Sequence, residues 1–156
     1  VRRESHVPIL FLTALGDEDA MLRGYALGCD DYVVKPFSLA VLLAKTQALI
    51  RRGRGAAGET LRCGAIALDL SRRSCTVSGR AVPLSPRDYD LLECLMRNQG
   101  LVLSRAQLLD KVWGLDFEGG LRAVDVRVRS LRAALGPAGK QIKTVFKAGY
   151  RLEVTP

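Results

Sequence analysis

The chain has 156 residues, with 24 Lys and Arg against 16 Asp and Glu, a formal charge of +8 and a pI near 9.7. No apolar run approaches the ~20 residues that a bilayer-spanning helix needs, and no signal-peptide pattern is read at its start, so no membrane partner is expected. A single histidine, His6, and four cysteines without a C-x-x-C pair form no zinc-spaced ligand set and no Ser-His or Cys-His couple, so neither a metal centre nor a hydrolase is expected.

From the N-terminus, Ile9 to Leu12 is a continuous apolar run, the pattern of a strand buried on both faces of a parallel sheet, and Thr13 closes it. A helix is expected from about Glu18 to Leu27, then a strand from Asp31 to Val34 ending at Lys35-Pro36. After Ser38, a suitable N-cap, Leu39, Leu42, Leu43, Thr46, Leu49 and Ile50 recur at helical spacing. The order β-α-β-α predicts one right-handed crossover with a covering helix. Residues 51–59, RRGRGAAGE, read as a flexible basic linker.

Leu61 to Leu68, Arg73 to Val77 and Ala81 to Leu84 are expected as short strands of an antiparallel sheet. Cys63 and Cys75 could face each other across it, although reduced, buried thiols are the expectation for all of Cys29, Cys63, Cys75 and Cys94. Two helix starts follow, at Ser85 with Pro86 and Asp88, and at Ser104 with Gln107 three residues on. Leu91, Leu92, Leu95 and Met96 give the first an apolar face, and Leu108, Leu109, Val112 and Trp113 the second.

The segment from Arg122 to Leu135 carries Val124, Val128, Leu131 and Leu135 on one helical stripe. Its four arginines, Arg122, Arg127, Arg129 and Arg132, are expected to point elsewhere, with Asp125 as the only acid. Such a cationic face suits phosphate oxygens, while a solvated surface helix is the alternative. Gly136 to Gly139 stop the helix, and Gln141 to Val145 with Tyr150 to Leu152 form a terminal hairpin. Three helices and a hairpin predict a winged helix-turn-helix. The charge agrees, because residues 61–156 hold sixteen Lys and Arg against nine acids while residues 1–50 hold five against six.

LSPRDYDLLECLMRNQGLVLSRAQLLDKVWG, RAVDVRVRSLRAALG and KTVFKAGYRL, in this order, resemble the effector-domain signatures of the OmpR/PhoB family of bacterial response-regulator transcription factors. VPILFLTA through GCDDYVVKPF resembles the second half of that family's receiver domain. The expected fold is therefore an α/β partial receiver, flavodoxin-like and second half only, over residues 1–52, a linker over 53–60, and an α+β winged helix-turn-helix with an N-terminal antiparallel sheet over 61–156.

The resemblance implies that Thr13 and Lys35 contact a phosphoryl group, that Pro36 follows a cis peptide aiming Lys35 inward, and that Tyr32 is a switch aromatic. The phospho-accepting aspartate and the Mg²⁺ acids would lie on strands preceding Val1, so Mg²⁺ and a sensor histidine kinase are expected partners only with that other half, and the chain itself is expected to hold no cofactor. Without that half, the Ile9 to Leu12 strand is expected to have an open edge. Asp31 and Lys45 look like a retained ion pair of the family's receiver dimer face, whereas Ala26, Gln47 and Val41 depart from its pattern.

On DNA, the resemblance implies phosphate contacts from Arg105, Trp113, Arg122, Arg127, Arg129 and Arg132, and thymine-methyl contacts from Ala123 and Val126, with core packing the alternative for Val126. Ser130 stands where some members carry a base-reading arginine. In the hairpin, Phe146 and Lys147 replace the arginine and glycine of many relatives. Thr144 and Tyr150 are expected to track phosphates, with minor-groove insertion of Lys147 the alternative.

The function expected is promoter-DNA binding in a cytoplasmic two-component regulator, as a head-to-tail dimer on repeats and with RNA polymerase meeting the loop from Leu115 to Gly120. A regulator acting without phosphorylation, or a winged helix binding an acidic protein, are the alternatives.

Overall fold

Alternating apolar runs and capped amphipathic segments resolve into three sheets and five α-helices in a computed structural model that describes residues 7–14, 18–51, 58–115 and 117–154. The first unit has β1 (Leu10–Thr13), α1 (Glu18–Ala26), β2 (Asp31–Val34) and α2 (Leu39–Arg51). β1 and β2 pair in parallel, with Leu10 opposite Asp31 and Thr13 opposite Val34. The outer edge of β1 faces no other strand among the described residues, and Leu12 is 47% exposed there. Tyr32 is buried, its hydroxyl donating to the carbonyls of Ala20 and Met21 at 2.7 and 2.8 Å and its ring edge-on to Phe11. Gly24 permits this, because a Cβ there would overlap the Tyr32 hydroxyl.

The second unit begins with a four-stranded antiparallel sheet in the order β3 (Thr60–Cys63), β4 (Ile66–Asp69), β5 (Ser74–Val77) and β6 (Arg80–Val82). The stretch expected as one strand from Leu61 to Leu68 is two, folded at Gly64, whose φ of +57° takes the tight reversal that a β-branched residue would resist. Helix α3 (Pro86–Arg97) is capped by Ser85, whose hydroxyl accepts the Asp88 N–H at 3.2 Å. Helix α4 (Arg105–Leu108) starts with a reciprocal capping box between Ser104 and Gln107. It passes into a π-helical stretch, Leu109–Trp113, where one continuous α-helix was expected, and ends at Gly114.

Helix α5 (Arg122–Leu135) runs into a short 3₁₀ segment, Gly136–Gln141, rather than an abrupt loop. The chain closes with β7 (Ile142–Val145) and β8 (Gly149–Leu152). Ile66, Leu68, Leu91, Leu92, Leu108, Val124, Leu131 and Leu152 are inaccessible and form the core between sheet, helices and hairpin. All four cysteines are free; Cys63 on β3 and Cys75 on β5 do not face each other, because β4 lies between their strands, and burial pushes the Cys75 thiol up to about 11. Most of the expected linker, residues 52–57, lies outside the described residues.

In the hairpin turn Lys147 sits at a φ of +57°, a conformation that favours glycine, third in a turn closed by the Ala148 N–H on the Val145 carbonyl at 2.9 Å. Strand pairing on both sides fixes that conformation and outweighs the side chain's preference. Lys147→Gly is expected to raise effector-domain stability by about 0.5–1 kcal/mol, read as a higher midpoint in urea; a lower midpoint would show that the turn is unstrained.

Candidate nucleic-acid interface

Helix α5 and the β7–β8 hairpin meet through a polar hinge built on Asp125. Its Oδ1 accepts from Arg105 Nε at 2.7 Å and from the Tyr150 hydroxyl, tying α4, α5 and β8 together. The Tyr150 hydroxyl is pushed up by burial and then by the Asp125 carboxylate, so it stays a protonated donor. Two guanidinium groups lie near the Tyr150 ring, Arg105 at 5.0 Å and Arg132 at 5.6 Å from its centre. Arg132 donates to the Ile142 carbonyl at 2.7 Å and to Thr144 Oγ1 at 2.8 Å, bracing the hairpin on the helix. Asp125 was not among the residues expected to matter. Its signal was its position as the only acid on a cationic helix.

The expected contact residues fall into three groups. Arg122, Arg129, Thr144 and Lys147 are exposed, while Arg105, Val126, Ser130 and Arg132 are half-buried. Ala123, Trp113, Tyr150 and Arg127 are buried. Ala123 and Arg127 were expected on the outer face, and the helix geometry explains the difference. Arg127 is three residues after Val124 and four before Leu131, on the apolar stripe itself, and Ala123 is one turn before it.

Arg127, 1% exposed, donates to the Cys29 carbonyl and lies 3.4 Å from Asp88 Oδ1. The Ser130 hydroxyl donates to the other Asp88 oxygen at 3.0 Å, which turns it away from the position expected for base reading. Burial raises the Asp88 carboxyl above its ordinary value, and the Arg127 charge opposes that rise. Arg127 is therefore a structural cation in this conformation rather than a groove-flanking one.

A second buried arginine grips the same loop. Arg87, on the first turn of α3, donates through Nη2 to the Asp30 carbonyl at 2.8 Å and through Nη1 to the Val112 carbonyl. The Asp30 carboxylate accepts the Arg87 N–H at 3.1 Å and the Ile9 N–H at 2.7 Å. Helix α1 packs on α5 beside these contacts, with Glu18 4.0 Å from Arg122. The first unit thus covers one flank of α5.

Thr13 and Lys35 lie at neighbouring strand ends, joined by the Lys35 N–H on the Thr13 carbonyl at 2.7 Å, and the Lys35–Pro36 peptide is cis. Asp31 and Lys45, read as dimer-face charges, pair within the chain at 3.5 Å, each side chain 12% exposed. Lys45 also donates to the Tyr32 carbonyl at 2.8 Å. Among the described residues no cluster of three or more His, Cys, Asp or Glu could hold a metal ion, and no helix is long and apolar enough to cross a membrane.

Residues 79–152 match the family model described as "Transcriptional regulatory protein, C terminal". The sensory transduction protein RegX3 of Mycolicibacterium smegmatis is 40% identical over 161 residues, an alignment spanning 98% of this chain and 71% of that protein. A mutant of RitR superposes with a TM-score of 0.73 at 28% identity, covering 95% of this chain and 67% of the other. The DNA-binding domain of RstA from Klebsiella pneumoniae, solved in complex with the RstA box, matches with a TM-score of 0.55 at 33% identity over 61% of this chain and 97% of that one.

Proposed function

The chain belongs to the OmpR/PhoB family of response-regulator transcription factors, the DNA-binding regulators of two-component systems, and from that membership we propose how it meets a duplex and how that meeting is controlled. Helix α5 enters the major groove with Arg122 and Arg129 against phosphates, Val126 toward base edges, and the hairpin along the adjacent backbone through Thr144 and Lys147. Arg105 and Arg132 add cationic potential from the hinge. Trp113 and Tyr150 act from inside, holding the elements that touch DNA.

The observation that carries this is the exposed pair Arg122 and Arg129, two turns apart on one stripe of α5, beside a braced cationic hairpin. Arg129→Ala is expected to weaken binding to all duplex sequences alike and to flatten the dependence of log K on log salt by about one unit. A loss confined to one sequence would move Arg129 into base reading. Salt-independent binding, or preference for an acidic protein over duplex, would support a protein-binding winged helix instead.

The closed arrangement supports a second element. With Arg87 and Arg127 fastened to the Cys29–Asp30 loop and α1 against α5, the groove-reading helix is partly screened, so this conformation is the weak-binding one and separation of the halves the strong-binding one. The division at 1–52, 53–60 and 61–156 supplies two bodies that can part. A sensor kinase acting through a complete receiver, head-to-tail pairing on repeated sites, RNA polymerase contact near Leu115 to Gly120 and work in the cytoplasm complete the reading.

A further inference from the structure

We infer that Phe146, at the tip of the wing, is an apolar wedge that enters the minor groove and partly unstacks a base step. This rests on the DNA-binding reading above and goes beyond it by assigning a residue that reads deformability rather than hydrogen bonds. Phe146 is 85% exposed, at the point of the hairpin that stands furthest from its braced base. A lone exposed apolar side chain is ordinary on a protein surface; three features set this one apart.

The first is rigidity. Arg132 holds the Ile142 carbonyl, and Leu103 and Tyr150 exchange N–H to carbonyl bonds at 2.9 Å in both directions, so the base of the hairpin is fixed to the domain. Gly149 makes that close approach possible, because a Cβ there would overlap the Leu103 carbonyl. A wedge needs such a base, since unstacking energy spent on a loose loop would be lost in moving the loop.

The second is charge. Lys147 Nζ lies 5.5 Å from the Phe146 ring centre, and Lys143 stands on β7 of the same hairpin. An apolar ring beside an ammonium group suits a narrow anionic groove better than an apolar protein pocket, and phenylalanine is among the residues that kink duplexes by insertion. The third is the turn itself. The positive φ of Lys147 and the Ala148 to Val145 bond set the turn in which the ring projects outward, 85% exposed. Insertion favours steps that unstack at low cost, the pyrimidine–purine steps, so the ring would add sequence preference where no base edge is touched.

The test uses the full chain and the full chain opened by Asp30→Ala, each with Phe146, Phe146→Ala or Phe146→Trp. Duplexes are selected from a randomised pool, and affinity and bending are then measured on the selected and on a random-sequence duplex. Selected sites should carry a TA or CA step at a fixed offset. Phe146→Ala should lose about tenfold in affinity for them, lose the bend, and bind random duplex as before, while Phe146→Trp keeps both properties. Equal bending and affinity with alanine overturn the wedge while leaving DNA binding intact. A change in the self-association of the DNA-free chain, with DNA binding unaltered, also overturns it and places the ring against a second copy. If neither chain retains any duplex, the DNA-binding reading fails and this inference fails with it.

Discussion

Replacing Arg127 with alanine is expected to lower the stability of the chain by about 3–5 kcal/mol, because it leaves the Asp88 carboxylate buried without its counter-charge. Asp88 is 4% exposed, and without Arg127 its carboxylate keeps the Ser130 hydroxyl and the Ser85 side chain as hydrogen-bond support. The loss should depend on pH in a defined direction. Burial already raises the folded-state Asp88 pKa above the ordinary 3.8, so the folded chain takes up this proton more readily than the unfolded one. The group's favourable contribution is therefore present at low pH and lost as pH rises through the folded value. Without Arg127 the folded value climbs further, so the deficit should be largest near neutral pH and shrink on acidification toward 3.8. Urea titrations at several pH values measure it. A pairwise change, Arg127→Met with Asp88→Leu, should recover most of the loss. A deficit below about 1 kcal/mol at neutral pH would mean that water reaches Asp88 and that the ion pair is a surface one.

Asp30→Ala is expected to raise affinity for duplex DNA by about tenfold or more. Its carboxylate joins the Ile9 and Arg87 N–H groups, so its removal takes a charge-assisted bond, worth about 1.5–3 kcal/mol, out of the contact between the halves. That energy biases the closed form, and its loss shifts population toward the open one, at about tenfold per 1.4 kcal/mol. The substitution lies outside the winged helix, so the DNA-facing elements keep their own contacts. Fluorescence anisotropy against salt titration measures the change. Unaltered or weaker binding, with the far-ultraviolet spectrum of the winged helix intact, would show that the Cys29–Asp30 loop does not restrain α5.

Much of this architecture is legible in local chemistry. Ser85 and Ser104 announce their helices because a side-chain acceptor, a proline or a glutamine at fixed offsets solves the problem of unpaired helix N–H groups within four residues. The Val124, Val128, Leu131 and Leu135 stripe is read from spacing alone and is buried as expected. Arg127 shows where such reading stops. Its position on that same stripe was visible, but residue type argued for exposure, and the partner that permits its burial, the Cys29 carbonyl, is 98 residues away.

The same holds for Arg87 and Asp30, separated by 57 residues. No spacing rule reports a contact between residues so far apart in sequence. The π-helical stretch at Leu109–Trp113 is of a third kind, announced by no residue pattern within it, whereas the Gly64 reversal had its signal in the glycine itself. For the DNA-facing side chains, the sequence shows which cations exist; packing decides that Arg122 and Arg129 remain outside while Arg127 and Arg132 are put to internal use.

Amide hydrogen exchange on the full chain, with and without a selected duplex, reaches the central claim most directly, since it reports both the DNA-facing surface and the release of the cover. Binding should slow exchange across 122–133 and 144–149 while speeding it in 18–31, where α1 and the Cys29–Asp30 loop leave α5. Protection confined to other segments, or unchanged exchange in 18–31 on a fully bound chain, would contradict it.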